Sequence, residues 1–165
     1  MIKDSGDRRE FDSGAVRDMQ EGKGRCDLLP LGVAALIPDC WDDWHRDVLL
    51  MLSTFQATGE TLHLIDALRC FGSHVFSDPQ TMLLEVAKHF EEGSKKYGEN
   101  NWQKGIPAKV YVDSGTRHYL KWLRDDTDEP HDRAFCWNIM CCIWTCVHKP
   151  ELNDYARSVN RDDAS

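Results

Sequence analysis

The sequence predicts an all-α fold, a helical bundle of about five or six helices behind an extended N-terminal arm, and three observations lead there. Apolar residues recur at helical spacing from Leu31 onward. No stretch alternates apolar and polar residues for long, and no Asn-Gly or Asp-Gly pair joins two β-branched runs as a tight hairpin needs. Residues that end or begin helices punctuate the pattern: Gly59, Gly72 and the Ser77-Asp78-Pro79 cap.

Taken in order, residues 1–30 are rich in Gly, Asp and Arg without sustained periodicity, and read as an extended arm ending at Leu28-Leu29-Pro30. Residues 31–150 form a single domain, and 151–165 a polar tail. Within the domain LGVAALIPD is a short helical pattern. WHRDVLLMLSTFQATG follows, with Trp44, Val48, Met51, Leu52 and Phe55 on one face, and then ETLHLIDALRCFG up to Gly72. The helix opened by Pro79 places Leu83, Ala87, Phe90, Ser94 and Tyr97 on one face, expected to be core. Another amphipathic helix follows Pro107, and the acidic run from Asp125 to Glu129 reads as a loop and helix start. The last helix, HDRAFCWNIMCCIWTCVHK, is apolar almost all round, which places it in the middle of a bundle or at a subunit interface and argues for self-association as a homodimer or homotetramer.

Composition narrows the class of function. At 165 residues and 19.0 kDa the chain supports one ordinary core. A formal charge of -8 argues against a nucleic-acid groove, and no apolar run approaches a membrane span. Nucleotides remain open, because local cations or a bound divalent ion can outweigh the global sign. Seven cysteines behind a polar start with no signal-peptide pattern fit a reducing, cytoplasmic setting. Cys136, Cys141, Cys142 and Cys146 lack the paired spacing of structural zinc sites and read as small buried hydrophobes.

The chemistry-bearing residues fall into sets. On the helix after Pro79, Glu85, His89, Glu92 and Lys96 share a face flanked by Lys88, Glu91 and Lys95. This is either i,i+4 charge support on a solvated surface or one wall of a site. Asp125, Asp126, Asp128, Glu129, His131 and Asp132 form a second acidic set, read as dipole capping or as hard-cation ligands. Between them Asp113 and Arg117 are an ion pair, or Arg117 and His118 bind phosphate and move a proton. Lys23 and Arg25 lie on the glycine-rich arm, and Tyr97, Asn100, Asn101 and Trp102 offer a ring surface and amides suited to a nucleobase, or a lid on the core.

Three ordered blocks, RREFDSGAVRDMQEGKGRCDLLP, HFEEGSKKYGENNWQKGIP and YVDSGTRHYLKWLRDDTDEPHDRAFCWN, resemble the dATP/dGTP diphosphohydrolase N-terminal-domain proteins of phages and prophages, related to the MazG-type all-α nucleoside triphosphate pyrophosphohydrolases. The resemblance implies a helical oligomer that uses Mg²⁺ or Mn²⁺ to split a deoxynucleoside triphosphate into monophosphate and pyrophosphate. It implies metal ligands among Glu85, Glu91, Glu92 and Asp128, backed by Glu129 and His131, and phosphate ligands Lys23, Arg25, Lys95, Lys96 and Arg117. Glu92, Asp113 and His118 are the catalytic candidates, with Asn101 and Trp102 at the base. The Glu-x-x-Glu and Glu-x-x-Asp pairs usual in MazG-type proteins are absent; His89 with Glu92, and Asp128 with His131, have the i,i+3 spacing instead. The alternative is a protein that binds a nucleotide without hydrolysing it; a helical interaction protein is a third reading.

Overall fold

A computed structural model describes residues 6–155. Its elements are a short hairpin, β1 (Arg8–Glu10) and β2 (Val16–Asp18), then α1 (Leu31–Ala34), α2 (Asp43–Thr58), α3 (Thr61–Val75), α4 (Pro79–Tyr97), α5 (Ala108–Leu123) and α6 (His131–His148). Residues 1–5 and 156–165 lie outside the description, and with them most of the expected tail. Within it, Asn153 donates to Gly59 O, and Tyr155 sets its ring edge-on to Phe55 at 5.3 Å.

The helices are those the pattern anticipates, and α6 resolves the choice left open for it. It is the central element, packed most extensively on α5 and also against α3 and α4, so its apolar surface is covered within one chain. Gly115 allows the close approach of α5, because a Cβ there would stand 3.3 Å from Ile139 Cδ1 and 3.4 Å from Asn138 Cβ. Gly72 does not end α3. It lies inside that helix, where a Cβ would meet Met82 Sδ of α4 at 2.6 Å. Asp78 caps α4 by accepting the Thr81 backbone N–H at 2.7 Å, with Pro79 in the first turn.

Two expectations change. Helix α4 is rotated from the face the apolar residues predict: Val86 and His89 are buried, while Leu83, Leu84 and Ala87 are exposed. The reason is Arg133 on α6, which sits low in the bundle and draws Glu92 to 2.6 Å and Glu85 to 3.8 Å, turning the charged stripe inward. Of the expected face Leu83 and Ala87 are thus exposed, while Phe90, Ser94 and Tyr97 are half-buried.

The arm is also more structured than an extended chain. Its hairpin pairs Arg8 with Asp18 and Glu10 with Val16 across the turn Phe11–Ala15, and the strands are too short and too poor in β-branched residues to show in the sequence. Ala15 is fully buried. Asn101 holds the β2 backbone from both sides, accepting from Val16 N and donating to Val16 O, each at 2.9 Å.

Farther along, Asp113 of α5, 3 % exposed, accepts from Cys26 N at 2.6 Å, from Gln20 Nε2 at 2.7 Å and from the Arg117 guanidinium. Arg117 in turn donates to Lys23 O and Gly24 O at 3.0 and 3.1 Å. Replacing a buried carboxylate that serves three donors leaves them unpaired, at about 3–5 kcal/mol. Asp113→Ala is therefore expected to lower stability by that order in denaturant unfolding and to speed trypsin cleavage after Lys23 and Arg25; unchanged cleavage there contradicts the clamp.

Candidate functional site

Between this strapped segment and helices α4 and α5 lies a cleft of about 900 Å³. Aromatic side chains gather in one part of it. Phe90 and Trp102 stand 5.4 Å apart, Trp137 is 5.8 Å from Phe90, and Trp102 rests edge-on to Trp144 at 4.9 Å, so Trp102 both covers the core and faces the cleft. Cations and acids gather in another: Lys23, Arg117 and Lys121 with Asp128 and Glu129 line the same space.

The structure divides the sequence candidates by placement. Lys23, Glu91, Asn101, Trp102, Asp113, Arg117, His118, Asp128 and Glu129 line the cleft. Asn101 and Asp113 spend their polar atoms on the strap rather than on the open space. Glu85 and Glu92 face Arg133, and burial, which by itself raises the Glu92 carboxyl, is outweighed by the Arg133 hydrogen bond, which holds it below the usual range. Glu91 pairs with Lys95 on the outer surface of α4. Arg25 forks onto Asp27, and Lys96 reaches Asp18 at 2.8 Å, where Arg8 at 3.1 Å and Lys23 at 3.9 Å also converge. Burial lowers the Lys23 ammonium from its ordinary value, against the pull of Asp18.

His131 stands behind the cleft wall and bridges two residues that line it. Its Nε2 lies 2.7 Å from Asp128 Oδ1, and its Nδ1 lies 2.9 Å from His118 Nδ1. The Asp128 carboxylate cannot donate, so His131 Nε2 carries a proton. In a neutral pair His131 Nδ1 then accepts from His118 Nδ1–H, and His118 Nε2 keeps its lone pair. Burial, and after it the neighbouring His131, push the His118 imidazole well below its ordinary value, which keeps it neutral. Asp126, Asp128 and His131 are the one group of three or more acidic, His or Cys donors among the described residues whose ligand atoms lie within 4.8 Å of one another.

Arg17 and Lys121 line the cleft and were not singled out from sequence. Arg17 on β2 lies under the strap with its guanidinium over the faces of Tyr111 and Trp137, at 5.3 and 5.5 Å. Arg17 lies within the first of the quoted blocks, but nothing local sets it apart from the other arginines of the arm, so the tertiary placement is what shows it.

The fold and its cleft define a mostly helical protein with a mixed aromatic and charged pocket walled on one side by its own N-terminal segment. Residues 57–155 match the model of the family described as dATP/dGTP diphosphohydrolase, N-terminal, and the chain belongs to that family. Neither a curated protein nor a solved structure gives a match. The matched region holds the α4, α5 and α6 walls, while the hairpin wall lies before it.

Buried His89, 6 % exposed, makes the site's surroundings sensitive to acid. Burial, and then the Arg133 charge, lower its imidazole from 6.5 to about 4. Between those values the unfolded chain binds the proton and the folded chain does not, so stability is lost as pH falls through that window, by up to about 3 kcal/mol. Thermal melts from pH 7 to pH 4.5 are expected to show that decline, and His89→Asn to flatten it; parallel pH profiles for the two proteins contradict the assignment.

Proposed function

We propose that the chain hydrolyses a dATP- or dGTP-type deoxynucleoside triphosphate to the monophosphate and pyrophosphate, with Mg²⁺ or Mn²⁺. The observation that supports this most is the cleft itself, which puts stacking rings, phosphate-seeking cations and carboxylates within one enclosed space. Rings at Phe90 and Trp102 take the base, and Lys23, Arg117 and Lys121 face the phosphates.

The donor set fits a hard divalent cation, since Asp128 and Glu129 line the cleft and Asp126, which is forked onto Arg124, lies close to Asp128 as a third carboxylate. A bound ion there supplies charge neutralisation on the triphosphate. His118 Nε2 takes a proton from the attacking water, whose oxygen bonds the α-phosphorus as the bond to the bridging oxygen breaks and pyrophosphate leaves with the electron pair. His131 and Asp128 hold that imidazole in the tautomer the step needs. Lys23 and Arg117 offset the charge that develops on the leaving group.

A second reading is favoured by one observation: Glu85 and Glu92, two acids of the α4 wall, are committed to Arg133 and leave the metal site one-sided. In that reading the cleft sequesters a nucleotide unchanged. The proposed setting is cytoplasmic, with the nucleotide as ligand and self-association to a homodimer or homotetramer. Support for the last comes from exposed Leu36 and Ile37 after α1 and from Leu83 and Leu84 on α4, not from α6. No helix among the described residues is long and apolar enough to cross a membrane.

A panel of the four dNTPs and common NTPs with Mg²⁺ or Mn²⁺, resolving pyrophosphate from phosphate, is expected to show pyrophosphate release from dATP or dGTP. His118→Gln is expected to lower kcat by about 10²–10⁴-fold with the fold intact. Nucleotide bound but unconsumed selects sequestration, and a folded, metal-loaded protein that neither binds nor consumes any of them overturns both readings.

A further inference from the structure

Arg17 is a half-buried cation without a counter-ion among the described residues. Its Nη2 donates to Ser114 Oγ at 3.2 Å and Asn138 Oδ1 at 3.0 Å, both neutral, while Nη1 is buried with no partner. Among the described residues no carboxylate forms an ion pair with it. Other cations around the strap have found acids: Lys96 and Arg8 hold Asp18, Arg117 holds Asp113, and Lys121 holds Asp128. A charge partly removed from water is tolerated when it is paired and hydrogen-bonded, so the unpartnered Nη1 of this cleft-lining arginine calls for an anion. Two further buried nitrogens on the same floor, Trp137 Nε1 and His89 Nδ1, also lack partners, and all three residues line the cleft.

Position along α5 selects which anion. Arg17 is held at Ser114, one helical turn, or about 6 Å, before His118, and two turns, or about 10 Å, before Lys121. On its other side Trp137 leads to the Phe90–Trp102 rings. A cation between the base wall and the Lys23, Arg117 and Lys121 group meets the first phosphate after the sugar, beside the imidazole that faces the water. We infer that Arg17 is the ligand of the nucleotide's α-phosphate, and that β2 therefore brings part of the binding site to the helical domain. This rests on the nucleotide reading above and adds to it a residue, the phosphate it holds, and a consequence: the monophosphate product stays bound through Arg17 after pyrophosphate leaves.

Calorimetric titration of the full chain with dGMP, dAMP, their deoxynucleosides and pyrophosphate separates these ideas. The wild-type protein is expected to bind one of the monophosphates at least about tenfold more tightly than its nucleoside, as a charge-assisted hydrogen bond provides. Arg17→Gln is expected to lose about ten- to hundredfold in monophosphate affinity, with nucleoside and pyrophosphate affinities unchanged. Arg17→Lys, which keeps the charge and lacks the fork, is expected to recover only part of that loss. Equal losses for nucleoside and monophosphate in Arg17→Gln mean that Arg17 only docks the hairpin, and overturn the inference. So does monophosphate binding at wild-type strength in Arg17→Gln; if that variant's parent still releases pyrophosphate from dNTPs, the hydrolase reading stands while this one falls. A wild-type protein that binds no nucleotide removes both.

Discussion

The molecule depends on one buried carboxylate. Asp113, on the helix that packs most closely against the central α6, gathers a backbone N–H from the end of the N-terminal arm, a side-chain amide from the strand exit and a guanidinium one turn along its own helix. Those bonds convert a glycine-rich, weakly patterned leader into a fixed wall. Without them the segment has little apolar surface to hold it down, because its strands are three residues long and, among its described residues, Ala15 is the one fully buried hydrophobic side chain, with Phe11 partly buried. The cleft exists because a polar clamp does what a hydrophobic face does elsewhere.

The same economy of charge runs through the rest of the site. Arg133 secures α4 by drawing in Glu92 and Glu85, which fixes the rotation of that helix and with it the presentation of His89, Phe90 and Tyr97 to the cleft. On the opposite side Asp128, His131 and His118 form a directional chain from the acidic loop between α5 and α6 to the cleft wall. Each acid and cation settled within the fold narrows what remains for a ligand, and Arg17 is conspicuous because its charge is not settled.

The helices were legible in the sequence because their apolar periodicity and their caps agree: Gly59 ends α2, and Asp78 with Pro79 begins α4. Helix α6 was legible as an element to be covered on most sides, since it is apolar almost all round. The rotation of α4 was not, because periodicity weighs leucines and cannot know that Arg133 waits across the interface for two glutamates. The hairpin was not legible either, since three-residue strands held by Asn101 and Asp113, 85 and more residues away, leave no local signature. Of the candidate site, the residues at 91, 102, 117, 118, 128 and 129, singled out by type, line one cleft. What each side chain is engaged with depends on partners brought together only by the fold, and Arg17 needed its surroundings to be seen.

The central claim is that the N-terminal hairpin and helices α4 and α5 together enclose a nucleotide. Hydrogen–deuterium exchange of the full chain, with and without an α,β-methylene analogue of dGTP or dATP, tests it most directly. The account predicts ligand-dependent protection in residues 16–25, in the C-terminal turns of α4 and in residues 111–121 together. Protection confined to the helices, with residues 16–25 exchanging as in the free protein, contradicts it.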